Sequence, residues 1–164
     1  MTLENRPIQI TEFDPTFNMY LPKIAKWLTN CNLNIHPSVE LIVLHGSRGL
    51  SQNYRSDSDI DLSLLVPFSS PPAVNTVLEN TLREVAEVTE NNWNSSIQLD
   101  LAIVFPRKRC DFTCFRRTSY DQGICLIGGS DCFGVFKPYG EYLPQFILNV
   151  EIKRMYPCIL VWKR

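Results

Sequence analysis

Acid and apolar residues alternate through Asp59-Ile60-Asp61-Leu62, and a Gly46-Ser47 pair precedes them with residues 48–58 between. On an extended strand, residues two apart share a face. Asp59 and Asp61 therefore stand on one side about 7 Å apart, while Ile60 and Leu62 turn to the other. Two carboxylates on one face repel unless a cation lies between them, and Mg²⁺, which favours carboxylates together with substrate phosphates, suits that place. Gly46-Ser47 closes the apolar run Leu41-Ile42-Val43-Leu44 and its following His45. A glycine there lets backbone N–H groups approach an anion, and the serine hydroxyl adds a donor, which together make a phosphate-binding nest. A third acid, Asp100, interrupts the apolar string Leu99-Asp100-Leu101-Ala102-Ile103. A strand carries an acid in such surroundings only for a reason. If that strand pairs beside the second, Asp100 joins Asp59 and Asp61, and three carboxylates suffice for a two-ion site.

The elements that position these groups are readable from periodicity. Asp14-Pro15 reads as an N-cap followed by a first-turn proline, and Leu21, Ile24, Leu28 and Cys31 recur at helical spacing, which predicts a helix over about 15–30. Residues 41–44 form a short buried strand and 60–66 a second. Val74, Val77, Leu78, Leu82, Val85 and Val88 mark a second helix to about residue 90, stopped by Asn91-Asn92. Residues 97–105 give a third strand closed by Pro106, and 123–127 a fourth. Over 143–156 the pattern reads as a helix, and over 158–162 as a final apolar strand or an oligomer contact. This order predicts an α/β (α+β) fold, helices packed on a small mixed sheet.

At 164 residues and a net charge of -1, the chain has room for one domain, residues 1–164, with a core over about 20–130 and a C-terminal extension over 131–164. Hydrophobic residues at 45% and charged residues at 20% exclude a disordered tail protein, a collagen and a disulfide-built miniprotein. Near-neutral charge gives no bulk electrostatic reason to bind nucleic acid. No stretch approaches the ~20 apolar residues that span a bilayer, and Met1 to Arg6 lack the apolar core of a secretory signal, so a cytoplasmic location with reduced cysteines is expected. The six cysteines contain no Cys-x-x-Cys spacing and read as ordinary thiols. His45 reads as a packing residue, Asp57 as a turn carboxylate, and Arg107-Lys108-Arg109 with Arg116-Arg117 as a solvated basic face.

Taken together, the strand ending Gly46-Ser47, the string Ser58-Asp59-Ile60-Asp61-Leu62, the later Asp100 and the segment Gln122-Gly123-Ile124-Cys125-Leu126-Ile127-Gly128 resemble the nucleotidyltransferase superfamily that includes DNA polymerase beta, most closely its minimal nucleotidyltransferases. The resemblance covers roughly residues 20–130. It implies a nucleotidyltransferase fold in which Gly46, Ser47 and Arg48 bind the triphosphate of an NTP, Asp59 and Asp61 hold Mg²⁺, and Asp100 serves the acceptor hydroxyl as metal ligand or base. The reaction implied is transfer of a nucleoside monophosphate with release of pyrophosphate, largely by positioning and charge neutralisation. The family's loop carries two arginines after Gly-Ser, whereas here Arg48 is followed by Gly49 and the next arginine is Arg55. The acceptor implied is a protein, an RNA or a small molecule, with a helical protein partner or a second copy completing the cleft.

The resemblance also implies a rival of another class, a catalytically weak or inactive nucleotide- or partner-binding module, in one version the antitoxin of a toxin–antitoxin pair. A glycosyltransferase using Asp-x-Asp with Mn²⁺ is a third reading, which leaves Gly46-Ser47 and Asp100 without a role.

Overall fold

Prolines and side-chain caps set where the helices begin. In this computed structural model, which describes residues 6–70, 72–107, 132–138, 145–150 and 158–164, a short 3₁₀ turn at Ile10–Glu12 leads into α1, Pro15–Tyr20. Asp14 accepts a hydrogen bond from the Thr16 amide at 2.9 Å, as a Ser/Asp-type N-cap does. The single helix expected over 15–30 is two. Pro22 has no amide hydrogen and forces the preceding Leu21 out of the helical region (φ -130°, ψ 58°), so a separate α2 runs Pro22–Thr29. The third helix, α3, spans Thr76–Asn92 behind Asn75, whose side chain accepts from the Leu78 amide at 3.0 Å. Asn91 and Asn92 end this helix from inside its last turn, where the Asn92 side-chain Nδ2 donates to the Val88 carbonyl at 2.7 Å.

Six strands form one mixed sheet in the order β5-β4-β3-β2-β1-β6. They are β1 Leu41–His45, β2 Ile60–Leu65, β3 Leu99–Arg107, β4 Cys132–Lys137, β5 Gln145–Val150 and β6 Ile159–Lys163. β2 and β3, joined through α3, pair in parallel, and every other pairing is antiparallel. Pro106 does not close β3, which continues to Arg107. β2 pairs with β3 only as far as Leu65 opposite Val104, so beyond that point β3 has lost one neighbour and tolerates a residue without an amide donor. β5 lies inside the 143–156 segment expected as a helix. Its run Phe146-Ile147-Leu148 is too short for periodicity to settle, and pairing along β4 makes it a strand. The expected strand over 123–127 lies outside the described residues. β4 instead carries the fourth pairing, with Gly134 opposite Phe105, whose ring fills the space a side chain at 134 would need.

The helices cover one face of the sheet. Ile42, Leu44, Ile60, Leu62, Leu64, Leu101, Ile103, Phe105 and Phe136 are fully buried there against Phe17, Ala25 and Leu28 from α1 and α2 and Leu82, Val85 and Ala86 from α3. Among the described residues no helix is long and apolar enough to cross a membrane. Leu62→Ala, which empties part of this core from the strand that carries Asp61, is expected to lower unfolding stability by about 2–5 kcal/mol in urea titrations. Asn75→Ala, which removes only a cap, is expected to cost about 1 kcal/mol.

Candidate active site

The face opposite the helices carries the polar residues. Alternation along β2 sends Ile60, Leu62 and Leu64 into the core and leaves Asp61 and Ser63 on the other side. Three strands align there at one level: His45 on β1 lies opposite Asp61 on β2, and Asp61 lies opposite Asp100 on β3. From the end of β4, Lys137 places its Nζ 2.9 Å from Oδ1 and 3.2 Å from Oδ2 of Asp100. His45 Nε2 and the buried Ser63 Oγ are joined by a hydrogen bond of 2.8 Å. The third strand pairs beside the second, the condition on which the sequence reading made the place of Asp100 depend, and this brings Asp61 and Asp100 together.

Asp59 sits one residue before β2, where the Ile60 amide has already joined the Gln98 carbonyl at 2.9 Å. Its charge reaches Asp61. Among the described residues, no three or more His, Cys, Asp or Glu side chains gather closely enough to hold a metal ion. The close acidic unit is therefore the pair Asp61–Asp100, with Asp59 outside it and Lys137 on its far side.

The turn after β1 is built around this pair. Gly46 has φ +75°, in the left-handed region, and a Cβ added to it would overlap the Asp61 carboxylate. Two constraints thus fall on one glycine: the turn conformation and the space taken by the acid. The Gly49 amide closes the turn on the Gly46 carbonyl at 3.1 Å, and Gln52 donates its side-chain amide to the carbonyls of Arg48 (2.9 Å) and Gly49 (2.8 Å). Among the described residues, the Ser47 and Arg48 amides find no hydrogen-bond acceptor. The Arg48 side chain turns inward instead. Only 7% exposed, it donates Nε to the Ser58 carbonyl at 2.8 Å and an Nη to the Arg55 carbonyl at 3.3 Å, and its guanidinium lies 4.5 Å from the centre of the Tyr54 ring. The guanidinium expected at a phosphate holds the 48–58 loop together.

Burial and crowding set the charges. The Asp61 carboxyl is pushed up to about 7, first by burial, then by its hydrogen bond to Asp100 and that group's charge, with Asp59 adding to the effect and Lys137 opposing it. Burial, helped by the Lys137 charge and opposed by Asp100, pushes His45 down to about 4. The imidazole is therefore neutral in ordinary buffers and holds Ser63 as an uncharged partner, consistent with a packing role. Asp57 is exposed in its turn, 3.5 Å from the Arg55 guanidinium, as a turn carboxylate should be. Arg107 ends β3, while Lys108, Arg109, Arg116 and Arg117 lie outside the described residues. Cys31 is a free buried thiol and Cys158 a half-buried one.

Lys137 was not marked by the sequence, where it is a single cation ending the apolar strand Phe133-Gly134-Val135-Phe136. No family model matches the chain, and no curated protein and no solved structure matches it.

The raised Asp61 carboxyl fixes a pH signature. Between its ordinary value of 3.8 and about 7, the native state holds a proton that the unfolded chain has lost, so stability falls as pH rises through that window. His45 has the opposite sign between about 4 and its ordinary 6.5, because there the unfolded chain protonates and the native state does not. Its contribution cancels between wild type and Asp61→Asn. In metal-free buffer the two proteins are expected to melt together at the acid end of the window, and above its upper end Asp61→Asn is expected to be the more stable. Parallel melting curves across the range would contradict the crowded acid pair.

Proposed function

We propose that the chain is a Mg²⁺-dependent nucleotidyltransferase that moves a nucleoside monophosphate from an NTP to an acceptor hydroxyl. One observation carries the reading: the turn whose Ser47 and Arg48 amides lack acceptors among the described residues is packed, through Gly46, directly on the carboxylate of an in-register acid pair. Amide donors beside paired carboxylates suit a phosphate chain carrying a divalent cation. The same neighbours favour the nucleotidyltransferase fold as the finer description of this mixed sheet.

The donor set fits the ion. Asp61 and Asp100 offer hard oxygens, and Mg²⁺ is commonly held by one or two carboxylates with substrate phosphates and water filling the remaining positions. Bound there, Mg²⁺ would supply charge neutralisation for the phosphates and for the departing pyrophosphate. The chain's own groups do the rest. The Ser47 and Arg48 amides and the Ser47 hydroxyl take phosphate oxygens and set the chain's direction. Asp61, freed of its proton, faces the α-phosphate. Asp100 accepts the proton of the acceptor hydroxyl as its oxygen bonds to the α-phosphorus and pyrophosphate leaves on the opposite side. Asp59, at the mouth of β2, adds negative charge that draws the cation in. Arg48 keeps the connecting loop folded so that Asp59 stays near.

A second reading, a nucleotide-binding module without turnover, is favoured by a single feature, the Lys137 ammonium already paired with Asp100.

The test is a thermal-shift panel of NTPs, each with Mg²⁺ and with EDTA, on wild type and Asp61→Asn. A ligand at a hundred times its dissociation constant stabilises by about 2.7 kcal/mol, easily seen in the midpoint. The expected result is a Mg²⁺-dependent shift with at least one NTP that the variant loses, followed by transfer of α-phosphate label to an acceptor. A shift without label transfer would favour the binding module, and no shift with any NTP would overturn both readings.

A further inference from the structure

We infer that Lys137 is a resident cation that competes with the metal for Asp100, so that the site takes a divalent ion well only when a nucleotide arrives with it. The inference rests on the proposed function and concerns how that site is loaded. Asp61 and Asp100 lie in register on adjacent parallel strands, with carboxyls close enough to share a hydrogen bond. Such a pair is eased by a shared proton or by positive charge beside it, and the Lys137 ammonium supplies the charge by reaching both oxygens of Asp100 at 2.9 and 3.2 Å. An incoming divalent ion takes the same oxygens, so it must first displace the ammonium.

The displaced ammonium then needs another anion. Lys137 ends β4 beside fully buried Phe136, which fixes the base of its side chain, while the side chain itself is 34% exposed and can swing. Asp61 also feels the Lys137 charge, but the incoming ion takes that acid too, so a phosphate chain held over the same carboxylates would be the anion left for the displaced ammonium. Nucleotide therefore gives Lys137 a second partner and relieves the competition, whereas free metal must overcome it. This makes metal and nucleotide mutually reinforcing, as linkage requires of any shared coupling. It also accounts for the ion pair that favours the binding-module reading without calling on loss of activity.

The probe is Mn²⁺, a carboxylate-binding ion that electron paramagnetic resonance counts directly. It is titrated into the full chain as wild type, Lys137→Met and Lys137→Arg, alone and with the α,β-methylene analogues of ATP, GTP, CTP and UTP. Wild type is expected to bind Mn²⁺ weakly alone and more tightly with an analogue. Lys137→Met is expected to bind Mn²⁺ alone about fivefold more tightly than wild type, the size a partly exposed ion pair commands, with a smaller further gain from the analogue. Lys137→Arg keeps the cation and is expected to resemble wild type. If Lys137→Met fails to melt cooperatively, Lys137→Gln, which keeps the polar reach without the charge, is read in its place. Mn²⁺ binding that is unchanged or weaker in the uncharged variant overturns the competition while leaving the nucleotidyltransferase reading standing. Absence of Mn²⁺ binding in every variant with every analogue overturns both.

Discussion

Everything on the polar face follows from one pairing, the parallel register of β2 with β3 that sets Asp61 beside Asp100. Parallel neighbours in this sheet require a crossover, and α3 provides it, capped by Asn75 and seated on the core through Leu78, Leu82, Val85 and Ala86. The apolar alternation of both strands locks the register, because a slip of one residue would bury the acids and expose Leu62 and Leu101. The core thus holds two acids side by side, and the Asp61 carboxyl is raised first by its burial there and then by its hydrogen bond to Asp100 and that neighbour's charge. Structural groups are seldom arranged this way, whereas sites that bind cations or move protons commonly are.

Around the pair, the other polar groups act by proximity to it. Gly46 yields its side-chain space to Asp61, Lys137 balances Asp100, and His45, kept neutral by burial, anchors the buried Ser63 hydroxyl between β1 and β2. Arg48 serves from behind. Its guanidinium satisfies carbonyls of the returning loop and packs on Tyr54, so the segment between the turn and Asp59 is held by an internal cation. The acids and the turn after β1 are consequently tied to one another through short connections.

Much of this arrangement is legible in the sequence itself. The strands flanking the site, the inward direction of Ile60 and Leu62 and the capped start of α1 all follow from alternation and capping residues, which act over a few positions. What escaped depended on partners distant in the chain. The break at Leu21–Pro22 was signalled locally by the proline, yet the apolar period ran across it and concealed two helices. β5 was hidden because its short apolar run suits either conformation until β4 lies alongside. Lys137 was invisible as a site residue because nothing near it in sequence is acidic; its partner is on another strand. Arg48 was read as a phosphate ligand from its place after Gly46-Ser47, and the loop carbonyls that claim it could not be seen from that motif.

The contact between Gly46 and Asp61 has a historical consequence. A side chain at position 46 would overlap the acid at position 61, so position 46 is not free to drift while the acid is kept. In descendants of this chain the dependence should run one way: glycine persists wherever the acid is retained, and larger residues enter at 46 only in lineages where 61 has shrunk. The turn's left-handed backbone would still favour glycine or asparagine after such a loss. A lineage with asparagine at 46 and alanine or serine at 61 would then mark where the acid pair had been abandoned while the sheet survived.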